Sequence, residues 1–229
     1  MSGDAKPVRS RYFECITTYD NVRESLGSVW SKWKLNRESL GPGVYLYLGT
    51  LRGLKQYIEN RFVNLVCGLE ALHRRKYPSA IVAALSDKID RILSQISLAK
   101  DRRWLENQLQ NAREPALAER LFQTLGDVPL GLDEERLRKF CLDCARLRND
   151  ISHFGGDRHS GRSYDDFVRG LHDRAEVLST LYHLVLLKEV GIRGDVLKRW
   201  VFEGFKSFGI KHHFVQVGLI DQSEIDPKG

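Results

Sequence analysis

The stretch Cys141-Leu-Asp-Cys-Ala-Arg-Leu-Arg148-Asn-Asp-Ile-Ser-His153-Phe-Gly-Gly156 decides how the chain is read. Leu137, Phe140, Cys144, Leu147 and Ile151 recur at spacings of three and four, so the segment is expected to be an amphipathic helix with one face in a core. Arg148 flanks that face. His153 follows five positions later, which on an unbroken helix sets the two side chains about 140° apart. Gly155-Gly156 frees the backbone for left-handed conformations, so the helix is expected to end or bulge near His153 and swing the imidazole towards the guanidinium. A permanent cation and a histidine suit cleavage of a phosphodiester in RNA.

An arginine and a histidine at this spacing recur by chance in a chain with 36 Lys+Arg and 7 His, so the context carries the weight. Here the pair stands as Arg-Asn-Asp-Ile-Ser-His at the end of a periodic helix, followed by Gly-Gly and a basic loop with Arg158, His159 and Arg162. That combination resembles the HEPN superfamily, small helical domains many of which are metal-independent ribonucleases. Upstream, Glu59-Asn-Arg-Phe-Val-Asn-Leu-Val-Cys-Gly-Leu-Glu70-Ala-Leu-His-Arg-Arg75 looks like the first core helix of the ApeA-type branch, associated with anti-phage abortive infection. The resemblance implies an all-α, HEPN-like helical bundle, a homodimer, and RNA cleavage leaving a 2′,3′-cyclic phosphate and a 5′-hydroxyl. In the toxin branch silenced by nucleotidylation a tyrosine stands near the histidine; Phe154 follows His153 here, which speaks against that regulation. ApeA-like proteins also carry a further N-terminal domain, seen only in part in this chain. A C-terminal fragment, with a sensor domain or a phage-derived trigger as partner, is therefore one reading.

With 229 residues, 42% apolar and 29% charged, the chain is long and apolar enough to fold around a substantial core. A net charge of +6 permits a polyanionic partner without requiring one. Val177 to Leu187 is too short to span a bilayer and the N-terminus lacks a signal peptide's apolar core, so a cytoplasmic protein without membrane contact is expected. Four cysteines in no regular framework agree with a reducing compartment. Cys141 and Cys144 fall on the apolar side of their helix and read as buried structural cysteines rather than zinc or redox ligands.

Two regions are expected: an N-terminal, partly helical appendage over 1–43, and a helical domain over 44–229. In the first, Trp30 and Trp33 read as packing anchors, and Gly41-Pro42-Gly43 breaks the chain. Val44 to Leu48 alternates like a strand, yet a helix from there into Glu59 is favoured. Leu54, Ile58, Phe62, Leu65, Val66, Leu69 and Leu72 then make one stripe over 51–76, with Glu70 at its polar edge, a candidate to orient Arg148 or His153. Further helices are expected over 81–99, from Arg102-Arg103-Trp104, and over 114–125. Asp133 caps the motif helix, and Ser163 with Asp166 starts a long helix to Lys188. Its His172 and His183 are read as packed or surface histidines. A last helix over 195–207 offers Leu197, Trp200, Val201 and Phe205 to the core; 214–220 reads as a short irregular or extended tail, and His212-His213 as surface.

Metal-free RNA cleavage needs a base for the 2′-hydroxyl, an acid for the leaving 5′-oxygen and a cation for the phosphoryl charge. His153 fits either proton task and Arg148 the cation, while Asn149, Asp150 and Ser152 are supporting candidates and Arg146, Arg158, His159 and Arg162 candidates to bind RNA. No metal or cofactor is expected. Because one histidine cannot be both acid and base at once, two apposed motif helices in a two-fold dimer would complete the set. Two rivals stand beside this reading: a HEPN-like module that binds RNA or dimerises without cutting, and a purely structural helical domain.

Overall fold

The computed structural model describes residues 15–51, 56–78, 80–154, 161 and 163–225, and they form an all-α bundle. In chain order the helices are α1 (Tyr19–Val22), α2 (Leu26–Leu51), α3 (Ile58–Lys76), α4 (Ala83–Ser94), α5 (Ala99–Gln108), α6 (Leu117–Gly126), α7 (Glu134–Phe154), α8 (Tyr164–Glu189), α9 (Gly194–Glu203) and α10 (Ser207–Gln216), with a 3₁₀ turn at Gln222–Glu224. The apolar stripes explain the packing. Phe62, Leu65, Val66, Leu69 and Leu72 of α3 are fully buried, and α3 touches α2, α6, α7 and α8. Leu137, Phe140, Cys141 and Cys144 of α7 and Leu171, Leu178, Leu181 and Tyr182 of α8 close the same core.

The expected starts of the two long helices are present. Asp133 Oδ1 accepts from the Arg136 backbone N–H at 2.9 Å, and Ser163 Oγ from that of Asp166 at 3.1 Å, each satisfying a donor that a helix N-terminus leaves open. Cys141 and Cys144 are buried as expected; burial pushes the Cys141 thiol up to about 12 and that of Cys144 well above its usual range.

Several boundaries differ from the sequence reading. Val44 to Leu48 is helical, inside α2, but no continuous helix joins it to Glu59, because Gln56 and Tyr57 are non-helical; Leu54 lies outside the described residues. The expected break at Gly41-Pro42-Gly43 is present, however: Gly41, at φ +35° and ψ −108°, is non-helical and divides α2 into two helical segments. The segment 81–99 holds α4 and then the start of α5, and α6 begins at Leu117, past Pro115. Trp33 packs on the core, whereas Trp30 is 68% exposed. The last expected helix, 195–207, stops early, α9 ending before Gly204, where an added Cβ would meet the Trp200 carbonyl oxygen at 2.5 Å, and a further helix that was not expected, α10, runs from Ser207. Phe214 to Gln216 are therefore helical rather than extended, with turns only from Val217, and Phe205 is exposed at the corner between the two helices.

Close approach of α2, α3 and α8 depends on two glycines. A Cβ on Gly68 would lie 2.9 Å from the Tyr182 hydroxyl and one on Gly43 3.0 Å from the Gly68 carbonyl oxygen. The Tyr182 hydroxyl is itself buried and, among the described residues, has no hydrogen-bond partner. Gly68→Ala should destabilise the fold by about 1–2 kcal/mol, overpacking outweighing the better helix propensity. Tyr182→Phe, which deletes an unsatisfied polar atom, should be neutral or stabilising by about 1 kcal/mol and should recover part of the Gly68→Ala loss. Urea denaturation of the three variants reads both signs.

Candidate functional site

α7 lays Phe140, Cys144 and Ala145 into the core, which leaves Arg148 at the seam with α3, its side chain 26% exposed. Glu70, on the α3 edge facing that seam, places Oε2 3.4 Å from Arg148 Nη2. Nη2 also lies 3.8 Å from Cys67 Sγ, one helical turn back, and Nη1 donates to Asn149 Oδ1 at 3.0 Å. The remaining donor, Nε, is buried and has no hydrogen-bond partner among the described residues.

Glu70 is shared. Its Oε1 accepts from Arg120 Nη1 of α6 at 2.8 Å and lies 3.4 Å from Arg74 Nη2 of α3. Glu114 joins the two arginines from the other side, with Oε2 2.5 Å from Arg120 Nη2 and 2.9 Å from Arg74 Nη1. Arg120 is only 5% exposed, and its Nε donates to the Pro115 carbonyl at 2.8 Å. Three guanidinium groups against two carboxylates leave one positive charge, and Arg148 is the arginine of the set nearest the motif end. A guanidinium held this way loses little further entropy on meeting an anion.

Glu70, Arg148 and Asn149 are thus together. His153 is exposed on the last turn of the same helix. α7 ends near His153, as expected, but it runs unbroken through Phe154, so the two motif positions stay about 140° apart around the axis and roughly 7.5 Å along it. Gly155 and Gly156, on which that expectation rested, lie outside the described residues. Asp150 is half-buried, Ser152 and Arg146 are exposed, and Arg158, His159 and Arg162 lie outside the described residues.

Arg120 and Glu114 were not singled out from sequence. A signal was present: Leu117, Leu121, Thr124 and Leu125 make the inward face of α6, and Arg120 interrupts it. A charge on such a face requires a buried counter-charge. Among the described residues, a group able to hold a metal lies between α8 and α10.

With that geometry in view, comparison with protein families matches residues 63–195 to the Apea-like HEPN model, more than half of the chain. The chain belongs to the Apea-like HEPN family. The match runs from α3 to the start of α9, so Glu70, Glu114, Arg120, Arg148 and His153 of this HEPN domain are all inside it. Neither the comparison with curated proteins nor that with solved structures returned a match. Among the described residues, no helix is long and apolar enough to cross a membrane.

Glu70→Gln should cost the HEPN domain about 2–3 kcal/mol, less than the 3–5 of a fully buried pair because Glu70 keeps 19% of its side-chain surface in water. Chemical denaturation checks this, and an exposed ion pair of similar geometry, Arg138 with Glu134, should lose under about 0.5 kcal/mol when broken.

Proposed function

We propose that the chain is a metal-independent endoribonuclease of the HEPN type, acting in the cytoplasm as an effector of anti-phage abortive infection. What supports this most is Arg148, a cation clamped by Glu70 with its buried Nε–H unpartnered, on the same helix end as the exposed His153. A buried donor without an acceptor is costly, and an anion arriving at Arg148 would relieve that cost. In the reaction, the 2′-oxygen attacks the adjacent phosphorus after losing its proton, and the P–O5′ bond breaks with a proton delivered to the leaving oxygen. The products are a 2′,3′-cyclic phosphate and a 5′-hydroxyl. Arg148 neutralises the charge building on the phosphoryl oxygens and His153 carries a proton.

The unbroken α7 gives the partner subunit its role. Within one chain the motif positions diverge around the helix, so the proposed site is composite, with the motif ends of two copies facing across a two-fold axis. Asn149 then fixes the Arg148 fork, Asp150 and Ser152 line the cleft, and Arg146 with the basic loop of Arg158, His159 and Arg162 binds the RNA backbone. The kink at Gly41 is taken as the boundary between the appendage, 1–43, and the domain, 44–229. The same divergence within a chain favours, as a second reading, a module that dimerises or binds RNA without cutting.

Purified protein should cleave single-stranded RNA in EDTA and run as a dimer. Arg148→Ala and His153→Ala should each slow cleavage at least about 100-fold, with helicity and mass in solution unchanged. Equal cutting by both variants would end the enzyme reading; RNA binding without cutting by the wild type would establish the second one.

A further inference from the structure

α10 packs across α8 at a point where three metal-binding side chains meet. His172 and Asp173 are consecutive on α8, His213 comes from α10, and one ligand atom from each lies within 4.8 Å of the others. His213 Nδ1 and Asp173 Oδ1 are 2.8 Å apart, and the rings of His172 and His213 have centroids 5.7 Å apart. Glu176, one turn after His172, brings Oε1 to 3.8 Å from His172 Nε2 while ion-paired with Arg61 of α3. Reading His172 as a packed or surface histidine overlooked Glu176 at i,i+4, and His213, 40 residues beyond Asp173, was not readable as a neighbour of either.

Zinc bonds to imidazole nitrogen and carboxylate oxygen at about 2.0–2.2 Å, so donors in a tetrahedral site stand roughly 3.4 Å apart. Reaching that from the present arrangement needs a contraction of about 1.4 Å at the widest separation and an opening of about 0.6 Å between His213 and Asp173. His172 is 52% exposed and can supply the movement by changing rotamer. Two imidazoles and one carboxylate favour a late first-row ion over magnesium or calcium, which take oxygen donors.

We propose that His172, Asp173 and His213 form a binding site for a divalent late first-row cation, Zn²⁺ foremost, that pins α10 to α8. Glu176, oriented by Arg61, stands beside the ion as an outer carboxylate. Water or a group from another molecule completes the coordination. The site is structural and is independent of the ribonuclease reading, whose chemistry uses no metal.

The test uses the full chain, stripped with EDTA, dialysed, and titrated with Zn²⁺ by calorimetry and with Co²⁺ by visible absorption. One equivalent should bind, Co²⁺ should give the intense d–d bands of a low-coordinate site, and Zn²⁺ at about 100 times its Kd should raise Tm by roughly 5–10 °C. His172→Gln and His213→Gln should each weaken Zn²⁺ binding by at least about 100-fold, beyond what outer-shell losses cost. His212→Gln, altering the exposed neighbour of His213, should leave affinity and Tm shift unchanged. Should the histidine variants lose helicity, Asp173→Asn, of the same shape, tests the site by charge alone. Absence of stoichiometric binding, or binding that survives His213→Gln or Asp173→Asn intact, overturns the proposal.

Discussion

The carboxylate of Glu70 is the interaction on which the arrangement of this HEPN domain depends. It lies between Arg148 of α7, Arg120 of α6 and Arg74 of its own helix. Arg120 cannot be left alone: it is nearly inaccessible to water, and an unpaired charge there would be prohibitive. Glu70 and Glu114 together answer that demand, and in doing so fix the register of α6 against α3. Arg148 is the third user of the same anion and the least buried of its inter-helix contacts. Its position is therefore set by a constraint that the fold already has to satisfy for another reason, which makes a precisely aimed surface cation a by-product of core electrostatics.

This explains what the sequence disclosed and what it withheld. The stripes of α3, α7 and α8 were legible because burial imposes a period of three and four on each helix separately. The Asp133 and Ser163 caps were legible too, since a cap and the donor it satisfies are three residues apart. Glu70 was legible as an edge position and as a candidate to orient Arg148 or His153, without a choice between them. Its choice of Arg148 over His153 depends on how α3 and α7 cross, and no local pattern carries a crossing. The end of α9 at Glu203 was missed because the close backbone at Gly204, where a Cβ would meet the Trp200 carbonyl oxygen, leaves no mark on the apolar spacing. His213 was placed on the surface because its partner, Asp173, is on another helix.

The two charged assemblies occupy different helix pairs but share α3. One links α3 to α6 and α7 through Glu70; the other reaches from α10 through α8 to Arg61, near the start of α3. Between them, Gly68 lets α8 approach closely enough for the Tyr182 ring to sit on the α3 backbone and stack against Tyr47 at 4.8 Å. Ionic contacts therefore hold α3 near its start at Arg61, beside its middle at Glu70 and at its end at Lys76, which pairs with Asp127 and Glu189, with apolar packing between them. Ionic contacts are directional where apolar packing tolerates small slides, so this division fixes the axial position of α3 while the core supplies most of the burial energy.

The axial position matters for the proposed chemistry. A shift of α3 by one residue would move Glu70 about 1.5 Å along the seam and rotate it by about 100°, which would take the carboxylate away from Arg148 altogether. His153, by contrast, stands on the last turn of α7, one residue before the end of that helix. The arginine of the motif is thus positioned by a cross-helix ion pair, and the histidine is carried on the last turn of α7. In a ribonuclease assembled from two such chains, the arginine would supply a fixed field and the histidine an adjustable proton carrier. That division matches a reaction in which the phosphate stays put while protons move between its oxygens.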